Sequence, residues 1–141
     1  MAAKHLVARC MLALACLGAI PATALAATPG QPLVHTLWVN PFANVKVAIG
    51  DCSGKLCGWV VWASPEAEKD AREGGVAHLV GTQVLQNYRP VSSAQWQGRV
   101  FVPDMSRSFT STITRIDAGT LKISGCILGG LICKSQLWHR A

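Results

Sequence analysis

From Asn44 onward the apolar positions fall mostly on alternate residues. Val45, Val47 and Ile49 alternate with Asn44, Lys46 and Ala48, which is the period of a strand with one buried face. The next run, CGWVVWA, is apolar in both registers, so it predicts a central strand covered on both sides or one that turns aromatic rings outward. LVGTQVLQNY, QGRVFVP, RSFTSTITRI, TLKIS and ICKSQLWHR follow, each bounded by Gly, Pro, Asp or Ser, and each reads as a strand. In RSFTSTITRI, Thr110, Thr112 and Thr114 take one face while Phe109 and Ile113 take the other. The pattern predicts an all-β fold, a mainly antiparallel meander of about eight strands.

One stretch departs from this period. SPEAEKDAREGG is polar and helix-forming, with Ser64 placed as N-cap, Pro65 at the first helical position and Gly74 or Gly75 as the stop. It predicts a short helix joining two strands, either a solvated connection or a lid over one end. A meander of this length must protect its edges, and closure into a small up-and-down barrel does so. Such a barrel has room inside for packed side chains or for one small ligand. The Pro- and Gly-containing stretch 27–35 is expected to be a flexible lead-in, with the single barrel domain spanning 36–141.

The cysteines add staples and a compartment. Lys4 and Arg9, the apolar CMLALACLGAI and the small residues around Ala24–Ala26 have the layout of a secretory signal peptide over residues 1–26. Its cleavage removes Cys10 and Cys16 and leaves 115 residues with no transmembrane anchor. The four remaining cysteines form two close pairs, Cys52 with Cys57 and Cys126 with Cys133, each bracketing a Gly-containing turn. That arrangement predicts two disulfide-stapled hairpins in an exported protein, periplasmic or secreted. Each local bridge contributes roughly 2 to 2.5 kcal/mol in the chain-entropy view. Crossed pairings close longer loops and are not excluded by entropy, but proximity across a hairpin favours the local ones. Neither spacing is the CxxC of a zinc knuckle or of a reactive dithiol, so no metal or other cofactor is expected.

Charge and candidate chemistry change little. There are 13 Lys and Arg against 7 Asp and Glu, and the excess falls from +6 to +4 without Lys4 and Arg9. The basic residues are scattered singly with no aromatic interleaving, which argues against nucleic acid as a partner. No GxSxG elbow, HExxH pair or phosphate-binding glycine loop is present. Of the histidines beyond the signal segment, His35 and His139 lie near the ends of the domain. His78 is the one well inside it, with Asp70, Glu73 and Asp104 as carboxylates that nothing in the spacing brings to it. The chain does not read as an enzyme.

Several elements in order carry a family resemblance: WVN at Trp38–Asn40, C-x4-C-G-x-V-V-W from Cys52 to Trp62, and Asp70–Arg72. LVGTQVLQNY, W-x-G-R-V-F-V-P-D from Trp96 to Asp104 and the closing GCILGGLICKSQLW from Gly125 to Trp138 continue the series. Over roughly residues 36–140 the chain resembles the bacterial domain-of-unknown-function family numbered 2147. That resemblance implies an exported bacterial protein with a small lipocalin-like barrel, and it brings no activity. Where members often have Asn-Pro after the aspartate this chain has Ala71-Arg72, and Val102 stands where a tyrosine is common. Both departures resemble the cysteine-rich branch of the family.

Two functional readings follow. In the first, the barrel binds a small apolar or amphipathic ligand, and Trp59, Trp62, Trp96, Phe101, Phe109 and Trp138 are the residues expected to line the site. With the interior filled instead, the tryptophans, Trp38 included, are core. In the second reading the rigid hairpin ILGGLI is a recognition edge for an envelope protein partner, through Ile127, Leu128, Leu131 and Ile132.

Overall fold

The computed structural model describes residues 32–141; the expected signal peptide lies outside them. The chain runs β1 (Thr36–Val39), β2 (Val45–Asp51), β3 (Leu56–Ala63), α1 (Pro65–Glu73), β4 (Gln83–Ser92), β5 (Gln95–Val102), β6 (Arg107–Asp117), β7 (Thr120–Ile127) and β8 (Ile132–Arg140). Every strand pairs antiparallel with its sequence neighbour, and β8 returns to β1, closing an eight-stranded barrel. Alternate connections therefore share an end. The β1–β2, β3–β4, β5–β6 and β7–β8 links form one rim, and the chain enters and leaves near the other.

The entry end is filled. Trp38, Ile49, Ile113 and Leu121 are all at most 2% exposed, and burial of such side chains contributes about 1.5 to 3 kcal/mol apiece. The Trp38 indole N–H donates to Thr36 Oγ1 at 2.7 Å, and the Thr36 hydroxyl donates to the Leu33 carbonyl. Leu33, within the stretch expected to be a flexible lead-in, is 2% exposed, and the His35 N–H donates to the Ile49 carbonyl at 2.8 Å. Packing of one leucine against the barrel thus brings the ordered body forward to Leu33. Two arginines complete this end: Arg140 lies over the Trp38 ring and Arg115 over Trp96, 5.5 and 5.3 Å from the centroids. Burial, and then the neighbouring Arg140, lower the Arg115 pKa.

The aromatic strand β3 turns its rings outward. Val60 is buried at 1%, whereas Trp62 is 44% exposed with the Lys46 ammonium 5.6 Å from its ring. An irregularity between Lys46 and Val47 pairs Lys46 with Trp62 and Val47 with Val60, so residues 60 and 62 do not share a face. Trp59 is half-buried on the outer side over Gly50, where an added Cβ would sit 3.2 Å from its ring. We expect Trp38→Ala to cost about 3 to 5 kcal/mol through the cavity it leaves. Trp62→Ala should cost under about 1 kcal/mol. Chemical denaturation of the two variants measures this, and equal losses would contradict the assignment.

The barrel middle holds a polar pair. The Tyr88 ring packs over Gly98, whose Cβ, were there one, would lie 2.7 Å from Tyr88 Cγ. The phenol is fully buried, and its hydroxyl and that of Ser111 make no hydrogen bond in good geometry. Burial pushes the Tyr88 pKa well up, opposed only in part by the nearby Ser111 side chain. A folded-state pKa above the unfolded one leaves stability intact below about pH 10 and erodes it as the pH rises further. Tyr88 is the only tyrosine in the sequence, so an ultraviolet alkaline titration reads it alone. We expect no phenolate until the fold is lost; a reversible transition near the ordinary value in folded protein would contradict the burial.

Candidate ligand-binding site at the open rim

At the opposite rim the barrel is splayed. β1 is four residues long and meets β8 through Trp38–Arg140 and Val39–His139, while β8 runs on past it toward Ile132. Every β8 residue from Ile132 to Leu137 is exposed. Strand alternation and register set what faces inward there. From rim to base, β6 presents Arg107, Phe109, Ser111 and Ile113; β7 presents Ile127, Gly125, Ile123 and Leu121; β8 presents Ile132, Lys134, Gln136 and Trp138. Each wall changes from exposed at the rim to buried at the base.

Between these walls lies a cavity of about 680 Å³, lined by apolar side chains that include Val100, Phe109, Ile123, Ile127, Ile132 and Trp138. Its polar lining is Asp104, Arg107, Lys134 and Gln136. Gly125 leaves space in the β7 wall: an added Cβ would meet Val100 at an ordinary 3.5 Å. A second cavity of about 340 Å³ lies beneath α1 and shares Val100, Val102, Asp104, Gln136 and Trp138 with the first.

Helix α1 covers part of this rim. Ser64 caps it by accepting from the Ala67 N–H at 3.1 Å, and Ala67 and Ala71 are buried. Gly74 packs so closely on Pro103 and Asp104 that a Cβ would lie 2.4 Å from the Pro103 carbonyl oxygen. The Ser106 hydroxyl donates to the Gly74 carbonyl. Glu68 accepts from the Leu79 and Val80 N–H groups at 3.1 Å each, and these two bonds hold its carboxyl below the usual carboxylate range. The segment is therefore a docked cover, with its exposed face polar and its two alanines facing in.

The sequence-predicted residues separate. Phe109 and Trp138 line the larger cavity, and Trp138 and Phe101 the smaller. Trp96 points inward at the filled end, and Trp59 and Trp62 are on the outer surface; none of these three lines either cavity. Of the hairpin residues, Ile127, Leu128 and Ile132 form the cavity rim, whereas Leu131, 85% exposed, does not line it. Cys52–Cys57 and Cys126–Cys133 are disulfides, the latter between directly opposed residues of β7 and β8 with Cα atoms 4.1 Å apart. Arg107, Lys134, Gln136 and Gly125 were not anticipated. Their signal was spacing two residues apart from apolar neighbours on the same strand face.

Residues 37–140 match the sequence profile of a family described as "Uncharacterized protein conserved in bacteria (DUF2147)". The chain belongs to this family. Its fold has a solved counterpart at 11% identity, protein HP1028 from the human pathogen Helicobacter pylori, described as belonging to the lipocalin family. The TM-score is 0.56, covering 77% of this chain and 82% of that one. At that identity the likeness concerns the fold alone. None of the curated proteins matches the sequence. This DUF2147 protein folds as a lipocalin-like barrel, and its own structure carries two disulfides. Among its described residues no helix is long and apolar enough to cross a membrane, and no three of His, Cys, Asp and Glu converge as a metal site.

The two Glu68 bonds give a pH test of the cover. A depressed folded-state pKa stabilises docking above the ordinary value of 4.5 and ceases to do so as the pH falls through the depressed one. Protection of the Leu79 and Val80 amides, taken relative to their intrinsic exchange rates, is expected to fall in that acidic window, and Glu68→Gln to lower it at neutral pH. Unchanged protection in the variant would show that other contacts hold the segment.

Proposed function

We propose that this protein is an exported, non-catalytic binding module that holds a small apolar or amphipathic molecule in the open half of its barrel. The observation that carries the reading is the cavity of about 680 Å³ between β5–β8, within the size range of small-molecule sites and mostly apolar in its lining. The lining also argues against chemistry. It contains no His, Ser, Thr, Cys or Tyr, and its one carboxylate is Asp104, so it offers no hydroxyl or thiol nucleophile beside a histidine and no pair of carboxylates. His78 lines neither cavity. Two disulfides support residence in an oxidising compartment, periplasmic or extracellular.

Exposure of Leu128 and Leu131, at 67% and 85%, favours a second reading in which the β7–β8 hairpin grips an envelope protein. One pair of variants separates the two. Gly125→Leu adds a side chain into the cavity from a strand wall with room for its Cβ, and Leu131→Glu charges the hairpin outside the cavity. Binding of an environment-sensitive apolar dye, followed by fluorescence and by melting temperature, is expected to fall at least about tenfold in Gly125→Leu, whose lost room takes away apolar contact. It is expected to be unchanged in Leu131→Glu. Wild-type protein that takes up no dye, or dye binding that survives Gly125→Leu, would move the assignment to the hairpin.

A further inference from the structure

The charges at the rim are not distributed as a solvated surface would have them. Arg107 and Lys134 both line the larger cavity, from β6 and β8, the two strands that flank β7. Between them β7 contributes only Ile127, Gly125 and Ile123 to the lining. Among the described residues neither cation has an ion pair or a side-chain hydrogen bond, although Lys69 and Arg72 on α1 find Glu73 and Glu68. Asp104 is the one acidic residue of the lining, and it also faces the cavity beneath α1, where Asp70 joins it. The β6–β8 side of the mouth is therefore basic and the α1 side acidic. Below the cations the β6 and β7 walls turn apolar through Phe109 and Ile123, and on β8 Gln136 stands between Lys134 and Trp138, accepting from the Trp138 indole N–H at 3.0 Å.

We infer that the ligand is an anionic amphiphile, its acidic headgroup held at the rim by Arg107 and Lys134 and its apolar chain directed down the β6–β8 wall toward Trp138. This assignment rests on the cavity being a binding site and adds the charge and orientation of what enters it. The physical basis is complementarity. A carboxylate or phosphate gains charge-assisted hydrogen bonds from Arg and Lys. Its chain is removed from water along an apolar wall. A cationic amphiphile of the same length meets like charge at the same rim and is disfavoured.

Three probes with one chain length test this: dodecanoate, dodecanol and dodecyltrimethylammonium, titrated into the whole folded protein by calorimetry at low salt. Dodecanoate is expected to bind about tenfold or more tightly than dodecanol, the equivalent of one charge-assisted contact, and the ammonium probe more weakly than either. Arg107→Gln with Lys134→Gln should abolish the preference, and an unchanged far-ultraviolet circular dichroism spectrum and cooperative thermal transition show that the doubly substituted protein is folded. Equal binding of dodecanoate and dodecanol, or a preference that survives both substitutions, would overturn the headgroup assignment and leave the cavity reading standing. Binding of none of the three would overturn both.

Discussion

The barrel depends on one short seam. β1 and β8 meet through two residue pairs, and the Trp38 side chain makes that contact hold. Its ring is buried among the core side chains, its indole N–H is satisfied by Thr36, and the Arg140 guanidinium stacks on it. A buried tryptophan needs both an apolar surround and a partner for its N–H, and the turn from Leu33 to Thr36 supplies the second. Because the seam is short and lies at the entry end, closure there does not require closure at the other rim. The same eight strands that are zipped and filled at the base can diverge above it.

That division explains where a ligand can go. Large side chains occupy the base, and two glycines mark the transition upward. Gly98 is covered by the Tyr88 ring, which belongs to the filled half. Gly125 is left uncovered and belongs to the open half. Rigidity at the mouth comes from the edges of the opening. The Cys126–Cys133 bridge ties the β7–β8 hairpin, while the α1 cover is pinned by Glu68 and by its tight approach to the β5–β6 turn. A site bounded by a bridged hairpin and a docked helix needs little ordering on binding, which favours affinity for a small molecule.

Much of this was legible in the sequence. Alternation and short apolar runs located the strands from β2 onward, while the four-residue β1 (Thr36–Val39) gave no pattern of its own; Ser64, Pro65 and Gly74 bounded the helix, and proximity across turns paired the cysteines. The facing of β3 was not legible, because CGWVVWA is apolar in both registers and the irregularity opposite Lys46 puts Val60 and Trp62 on different faces. Parity counting fails across such a break. Leu33 was hidden by the prolines and glycine around it, which mark loops without saying whether a loop packs. Arg107 and Lys134 were hidden for a different reason: single charges in a chain with scattered charges look solvated until the register puts Arg107 beside Phe109 and Lys134 between Ile132 and Gln136 on an inward face.

One half of the barrel is filled, and the other is a mostly apolar cavity with room for a guest. Xenon binding in crystals of the protein tests it directly, since xenon enters apolar voids without requiring a polar contact. Xenon is expected between Phe109, Ile123 and Trp138, and none beside Trp38 and Leu121. Xenon at the base, or its absence from the β6–β8 wall, would contradict it.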